Sequence, residues 1–137
     1  MSNSVFPSAV RVQVPAAALA VAGVVALWAG GSLPIAVNLV SAPWDKLAHA
    51  AVYAVLSCAI GLASGRDGAR LIAVGFLGAM AIGLADELLQ FWAAGRQADV
   101  EDLMADAVGA ALGTLPLAVL VHLRQTVREH DHPLSSG

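Results

Sequence analysis

Apolar residues run through this chain in four long blocks, at about residues 14–33, 47–63, 71–92 and 103–123, joined by short polar links. A helix needs about 20 apolar residues to cross a bilayer, and the second block, the shortest, only approaches that length. None of the four alternates with period two as a barrel strand does. Each is rich in Ala, Gly, Val and Leu. A spanning segment must satisfy its own backbone hydrogen bonds, and a helix does so alone. The pattern predicts an all-α integral membrane bundle of four transmembrane helices. A segment at 1–13 precedes it and a polar, disordered tail at 124–137 follows.

Composition agrees with that reading. The chain has 137 residues, of which 58% are hydrophobic and 12% charged, and its mean hydropathy is +0.75. Soluble domains carry about 25% charged residues. The net charge of -3 is small and its acids are localised, which points away from a nucleic-acid partner. The single cysteine, Cys58, lies in an apolar run and reads as a small hydrophobe. No cleavable signal peptide is expected, because the first apolar block is long enough to remain an anchor. His130 and His132 read as part of the solvated tail rather than as a metal site.

Charge also predicts an orientation. Four crossings put both termini and the 64–70 link on one side, together with Arg11, Arg66, Arg70, Arg124 and Arg128. Only Lys46 and Arg96 fall on the other side. Positive charge is retained in the cytoplasm, so both termini are expected there. Trp28, Trp44 and Trp92 all fall near the outer ends of their blocks, where tryptophan belts form. Gly61-xxx-Gly65 and Gly109-xxx-Gly113 have the small-residue spacing that lets helices approach closely, within the bundle or between copies of the chain.

Six of the ten acidic residues, Asp86, Glu87, Asp99, Glu101, Asp102 and Asp106, crowd the stretch where the third block ends and the fourth begins. Carboxylates at membrane depth are costly, about 2.5–3.5 kcal/mol each at a helix centre, and usually face an interior where they act. Helical spacing organises them. Asp45, His49 and Tyr53 recur every four residues, Glu87 and Gln90 are three apart, and Asp99, Asp102 and Asp106 follow an i, i+3, i+7 pattern. With a rise of about 1.5 Å per residue, His49, Glu87 and Asp106 are expected in one layer, a turn below the surface. Asp45, Gln90 and Asp102 form the layer above, with Arg96 over both. The blander reading is that these groups are solvated or paired with one another, and that Asp99 and Asp102 merely cap a helix.

The residues that form these stripes resemble those of the VanZ-like membrane proteins. The resemblance is carried by Asp45-Lys46-Leu47 with His49 and Tyr53, by Asp86-Glu87 with Gln90, and by Gly95-Arg96 with Asp99, Asp102, Asp106, Gly109 and Gly113. It covers about residues 45–113. It implies a small multi-helix envelope protein, in a family named for low-level resistance to the glycopeptide teicoplanin, and a multi-pass location in a bacterial plasma membrane. Family members carry the Glu, Gln, Arg and Asp found here as Glu87, Gln90, Arg96 and Asp102. Many have Asn where this chain has Asp106, and some have His at the position of Leu89.

Three functions compete. The first is an enzyme acting on a lipid-linked or headgroup substrate at the outer leaflet. His49, Glu87 and Asp106 are its acid/base candidates. Asp45, Lys46, Tyr53, Gln90, Arg96, Asp99 and Asp102 line its substrate site, with Arg96 as a fork for phosphate or carboxylate. Asp102 and Asp106 orient His49 or hold a hard divalent cation, although no tight metal motif is present. The second is a non-catalytic binder of a cell-wall precursor or of a glycopeptide that mimics one. The third, a transporter, ranks last because the inner halves of the spans are almost purely apolar. Membrane lipids are partners in all three, and a homo-oligomer is compatible with each.

Overall fold

Each apolar block folds as a single helix. The computed structural model describes residues 8–32, 44–92 and 99–131. These form α1 (Ser8–Ser32), α2 (Trp44–Ala63), α3 (Ala69–Trp92) and α4 (Val100–Asp131), with no strand among the described residues. All four are long and apolar enough to cross a membrane. The surface is that of a protein solvated by lipid. Val21, Val25, Leu77, Leu84, Leu88, Leu112, Leu115 and Val119 are exposed, whereas Ser57, Glu87, Gln90 and Asp106 are buried. Water would oppose such an inverted arrangement, and a bilayer favours it. The chain is a multi-pass, all-α membrane protein.

α2 is the central helix and packs on all three others, most extensively on α4. Small residues make that contact possible. A β-carbon on Gly109 would fall on the Ala50 carbonyl, and one on Gly113 on the Ala54 carbonyl. The Gly109-xxx-Gly113 pair therefore marks a contact inside the bundle, with Ala50 and Ala54 as its complement on α2. Gly61 seats Leu117 of α4, and Gly23 of α1 seats Leu56. Tyr53, Leu56, Ala79 and Ala110 form the buried centre.

Gly65 leaves α2 with a positive φ of 62°, a conformation that glycine adopts without penalty. At this end of the bundle Arg124 donates to Asp67 at 2.9 Å, and Gln13 of α1 lies beside Gly65. The beginning of α1, the α2–α3 turn and the last turns of α4 thus share one end. The acidic cluster occupies the other.

Two boundaries differ from the sequence reading. α1 begins at Ser8, inside the segment expected to precede the first span. α4 does not stop at 123 but continues to Asp131, so 124–131 is helix rather than disordered tail. At about 1.5 Å per residue, this 32-residue helix is about 48 Å long, well beyond the roughly 30 Å hydrocarbon core. Arg124, Gln125, Arg128 and Glu129 are good helix formers, and no Gly or Pro interrupts the run before Pro133. Arg128 and His130 in the last turn also complement the helix dipole.

Candidate functional site

The first turn of α4 explains much of the acidic cluster. Asp99 caps this helix. Its side chain accepts from Glu101 N at 2.8 Å, and its carbonyl accepts from Asp102 N at 3.1 Å. Its own N–H donates to Glu87 Oε2 of α3 at 2.9 Å. In a capping box that return bond comes from the third residue of the same helix; here Glu87 supplies it from a neighbouring helix. The capping role read for Asp99 is therefore its actual role.

Lys46 is the hub of the mouth. Its ammonium donates to Asp99 Oδ2 at 2.9 Å and to Asp102 Oδ1, and lies 3.8 Å from Asp45 and 4.0 Å from Glu101. The i, i+3 spacing of Asp99 and Asp102 on α4 lets one ammonium bridge both. Lys46 and the Glu101 N–H together hold the Asp99 carboxyl below the usual carboxylate range. The sequence reading placed Lys46 in the substrate site and did not foresee its ion pairs with Asp99 and Asp102, because spacing along one helix does not reveal a partner on another.

A turn deeper, His49 meets Asp106, with Nδ1 2.9 Å from Oδ1. Asp106 is 1% exposed. Opposite a carboxylate, which only accepts, Nδ1 is the donor, and in the neutral ring Nε2 then presents a lone pair. No hydrogen bond engages Nε2 among the described residues. Tyr53 lies parallel to the imidazole, with ring centroids 6.3 Å apart and planes 9° off parallel. Gly83 of α3 makes room for this group. A β-carbon there would lie 2.8 Å from Asp106 Oδ2 and 3.2 Å from Tyr53 Cε1.

The layering expected from the sequence is corrected at one point. His49 and Asp106 do share a depth, but the α3 residue opposite them is Gly83, and Glu87 lies a turn above, level with Asp99. The depth estimate took Asp102 as the mouth end of α4, whereas the helix starts from Asp99 at the height of Glu87. Gln90 is buried above Glu87 and donates to Asp86 Oδ2 at 2.8 Å. Asp86 had no assigned role in the sequence reading, although its i, i+4 relation to Gln90 was available. Arg96 lies outside the described residues.

Among the described residues, four buried side-chain atoms have no hydrogen-bond partner: Asp45 Oδ1, Tyr53 OH, Ser57 Oγ and Glu87 Oε1. Ser57 continues the every-fourth-residue stripe of Asp45, His49 and Tyr53 one turn deeper, and the sequence reading stopped short of it. No group of three or more His, Cys, Asp or Glu side chains is arranged to hold a metal ion among the described residues; of the two carboxylates read as cation ligands, Asp102 is engaged by Lys46 and Asp106 by His49.

The family model described as VanZ/LLP1 matches residues 7–121, which covers all of α2 and α3 and the membrane-spanning part of α4. The curated proteins contain no match to the chain, and neither do the solved structures.

Proposed function

The chain belongs to the VanZ/LLP1 family, and we propose that it is a membrane enzyme in which His49, positioned by Asp106, works as acid and base on a lipid-linked or headgroup substrate. The observation that carries this reading is the bond from His49 Nδ1 to a carboxylate that is 1% exposed. An orienting carboxylate fixes the tautomer and stabilises the imidazolium that forms when Nε2 takes a proton. His49 keeps 22% of its side-chain surface exposed, which leaves the ring partly open. It accepts a proton from water or a substrate hydroxyl and returns it to the leaving group. The cation distribution supports a mouth facing away from the cytoplasm.

The test is turnover by purified chain reconstituted in vesicles that contain bacterial envelope lipid extract, read by mass spectrometry of the lipids. A product formed by the wild type and lost in His49→Gln and Asp106→Asn supports the reading. Unchanged product formation in both variants refutes it. A second reading, a non-catalytic binder of a wall precursor or a glycopeptide that contributes to resistance, is favoured by one observation: among the described residues no hydroxyl or thiol is hydrogen-bonded to Nε2 as a nucleophile would be. Saturable binding with no product at any enzyme concentration would establish that alternative.

A further inference from the structure

The mouth has a chemical preference that can be read from what Lys46 leaves unsatisfied. Among the described residues, Asp45, Asp99, Glu101 and Asp102 surround one ammonium, and Glu87 adjoins them through the Asp99 N–H. Lys46 takes Asp99 and Asp102. What remains is Glu87 Oε1 and Asp45 Oδ1, two acceptors without a donor among the described residues. Glu87 is only 7% exposed, and its other oxygen accepts from the Asp99 N–H. Buried acceptors left unpaired are costly. A ligand that supplies N–H donors and positive charge relieves that cost, whereas a phosphate or carboxylate would meet acceptors and like charge. The chain itself shows what such a site accepts, since Lys46 is an alkylammonium held by its neighbours.

We propose that the mouth above the His49–Asp106 pair binds the primary ammonium group of its ligand, with Glu87 Oε1 and Asp45 Oδ1 as acceptors, so that the substrate is an amine-bearing headgroup. The inference deepens the acid/base reading by naming the substrate class and rests on that reading for the word substrate; the binding itself does not depend on it. The ammonium serves as a recognition handle. It reaches the rim while the bond to be changed lies deeper, at the level of His49.

The experiment uses the full chain in neutral detergent with mixed micelles of dioleoylphosphatidylethanolamine, its N-acetylated derivative or dioleoylphosphatidylglycerol. Bound lipid is counted by native mass spectrometry. N-acetylation keeps the phosphate and acyl chains and removes only the ammonium. Because charge-assisted hydrogen bonds are among the strong ones, the ammonium lipid should be retained roughly tenfold over either competitor. Glu87→Gln and Asp45→Asn should each bring that preference towards unity. Arg124→Gln, at the opposite end of the bundle, should leave it unchanged. Displacement by millimolar free ethanolamine shows that the ammonium alone is recognised; retained binding against ethanolamine shows that the lipid-borne form is. Equal retention of the N-acetylated lipid, or preference for phosphatidylglycerol, overturns the proposal on the wild-type protein alone, whatever the variants do to folding. Turnover that depends on His49 without any ammonium preference sinks this inference and spares the acid/base reading, and a preference without turnover does the reverse.

Discussion

Replacing Asp106 by Asn keeps an acceptor opposite His49 Nδ1 and removes only the charge. A hydrogen bond to a charged group contributes about 1.5–3 kcal/mol and a neutral one about 0.5–1.5, so the bond weakens by about 1 kcal/mol. Against that stands the desolvation of a carboxylate that is 1% exposed, which the amide no longer suffers. Asp106→Asn should therefore shift stability by no more than about 1 kcal/mol in either direction. His49→Ala behaves differently, because it strands Asp106 as a buried charge and removes the ring that lies parallel to Tyr53. Breaking one side of a buried pair costs about 3–5 kcal/mol. A His49→Leu/Asp106→Leu double variant removes the buried carboxylate together with its partner and should recover most of that loss. Turnover follows another order, since losing the orienting carboxylate costs about 10⁴-fold in rate where the tautomer matters. Asp106→Asn should thus be folded and nearly inactive. Denaturant unfolding in detergent, run beside the vesicle turnover assay, measures both quantities. The reasoning fails if Asp106→Asn destabilises as much as His49→Ala, or if it retains turnover.

Gly109→Val should disrupt the α2–α4 seam, since its side chain would meet the Ala50 backbone; a loss above the usual overpacking range of about 1–3 kcal/mol is expected in the same unfolding assay, while Gly68→Ala, which meets nothing within 4 Å but has φ of 59°, should show only a milder backbone penalty. Asp99 is held below the ordinary carboxylate range by Lys46 and the Glu101 N–H. Its contribution to stability is therefore complete above the unfolded value of about 3.9 and disappears as pH falls through the lower native value. Unfolding curves for wild type and Asp99→Asn should converge in acid and separate above pH 4–5 or so; curves parallel at every pH would contradict the capping account. Arg124→Gln removes an ion pair whose side chains are 48% and 63% exposed, so unfolding should change by less than about 1 kcal/mol. A cysteine introduced near Gly95 should be labelled by an impermeant reagent from outside intact cells and one near Gly68 should not; the reverse pattern would invert the proposed orientation.

Much of the fold was legible because a bilayer imposes a simple rule on length and polarity. Leu71 to Trp92 could hardly be anything but a spanning helix. The end of α4 was misread because the hydropathy window ends where Arg124 begins, although polarity does not stop a helix. Within the site, the stripes on α2 and α4 correctly brought His49 and Asp106 to one depth, since both follow from helical periodicity. Glu87 was placed a turn too low because periodicity within each helix does not encode the register between α3 and α4. Lys46 and Gly83 were undervalued for a related reason. The partners of Lys46 lie on another helix, and Gly83 matters through the side chain that it lacks. Ser57 was the avoidable omission, being one further step on a stripe already recognised.

The most direct check on the pair is the protonation of His49 itself, read by ¹⁵N NMR of histidine-labelled chain in lipid bilayers across a pH titration. The account predicts that Nδ1 keeps its proton throughout, that Nε2 is the nitrogen that titrates, and that Asp106→Asn broadens this single tautomer into a mixture. A neutral His49 protonated on Nε2, with Nδ1 accepting from Asp106 as a carboxylic acid, or a spectrum indifferent to Asp106→Asn, would contradict it.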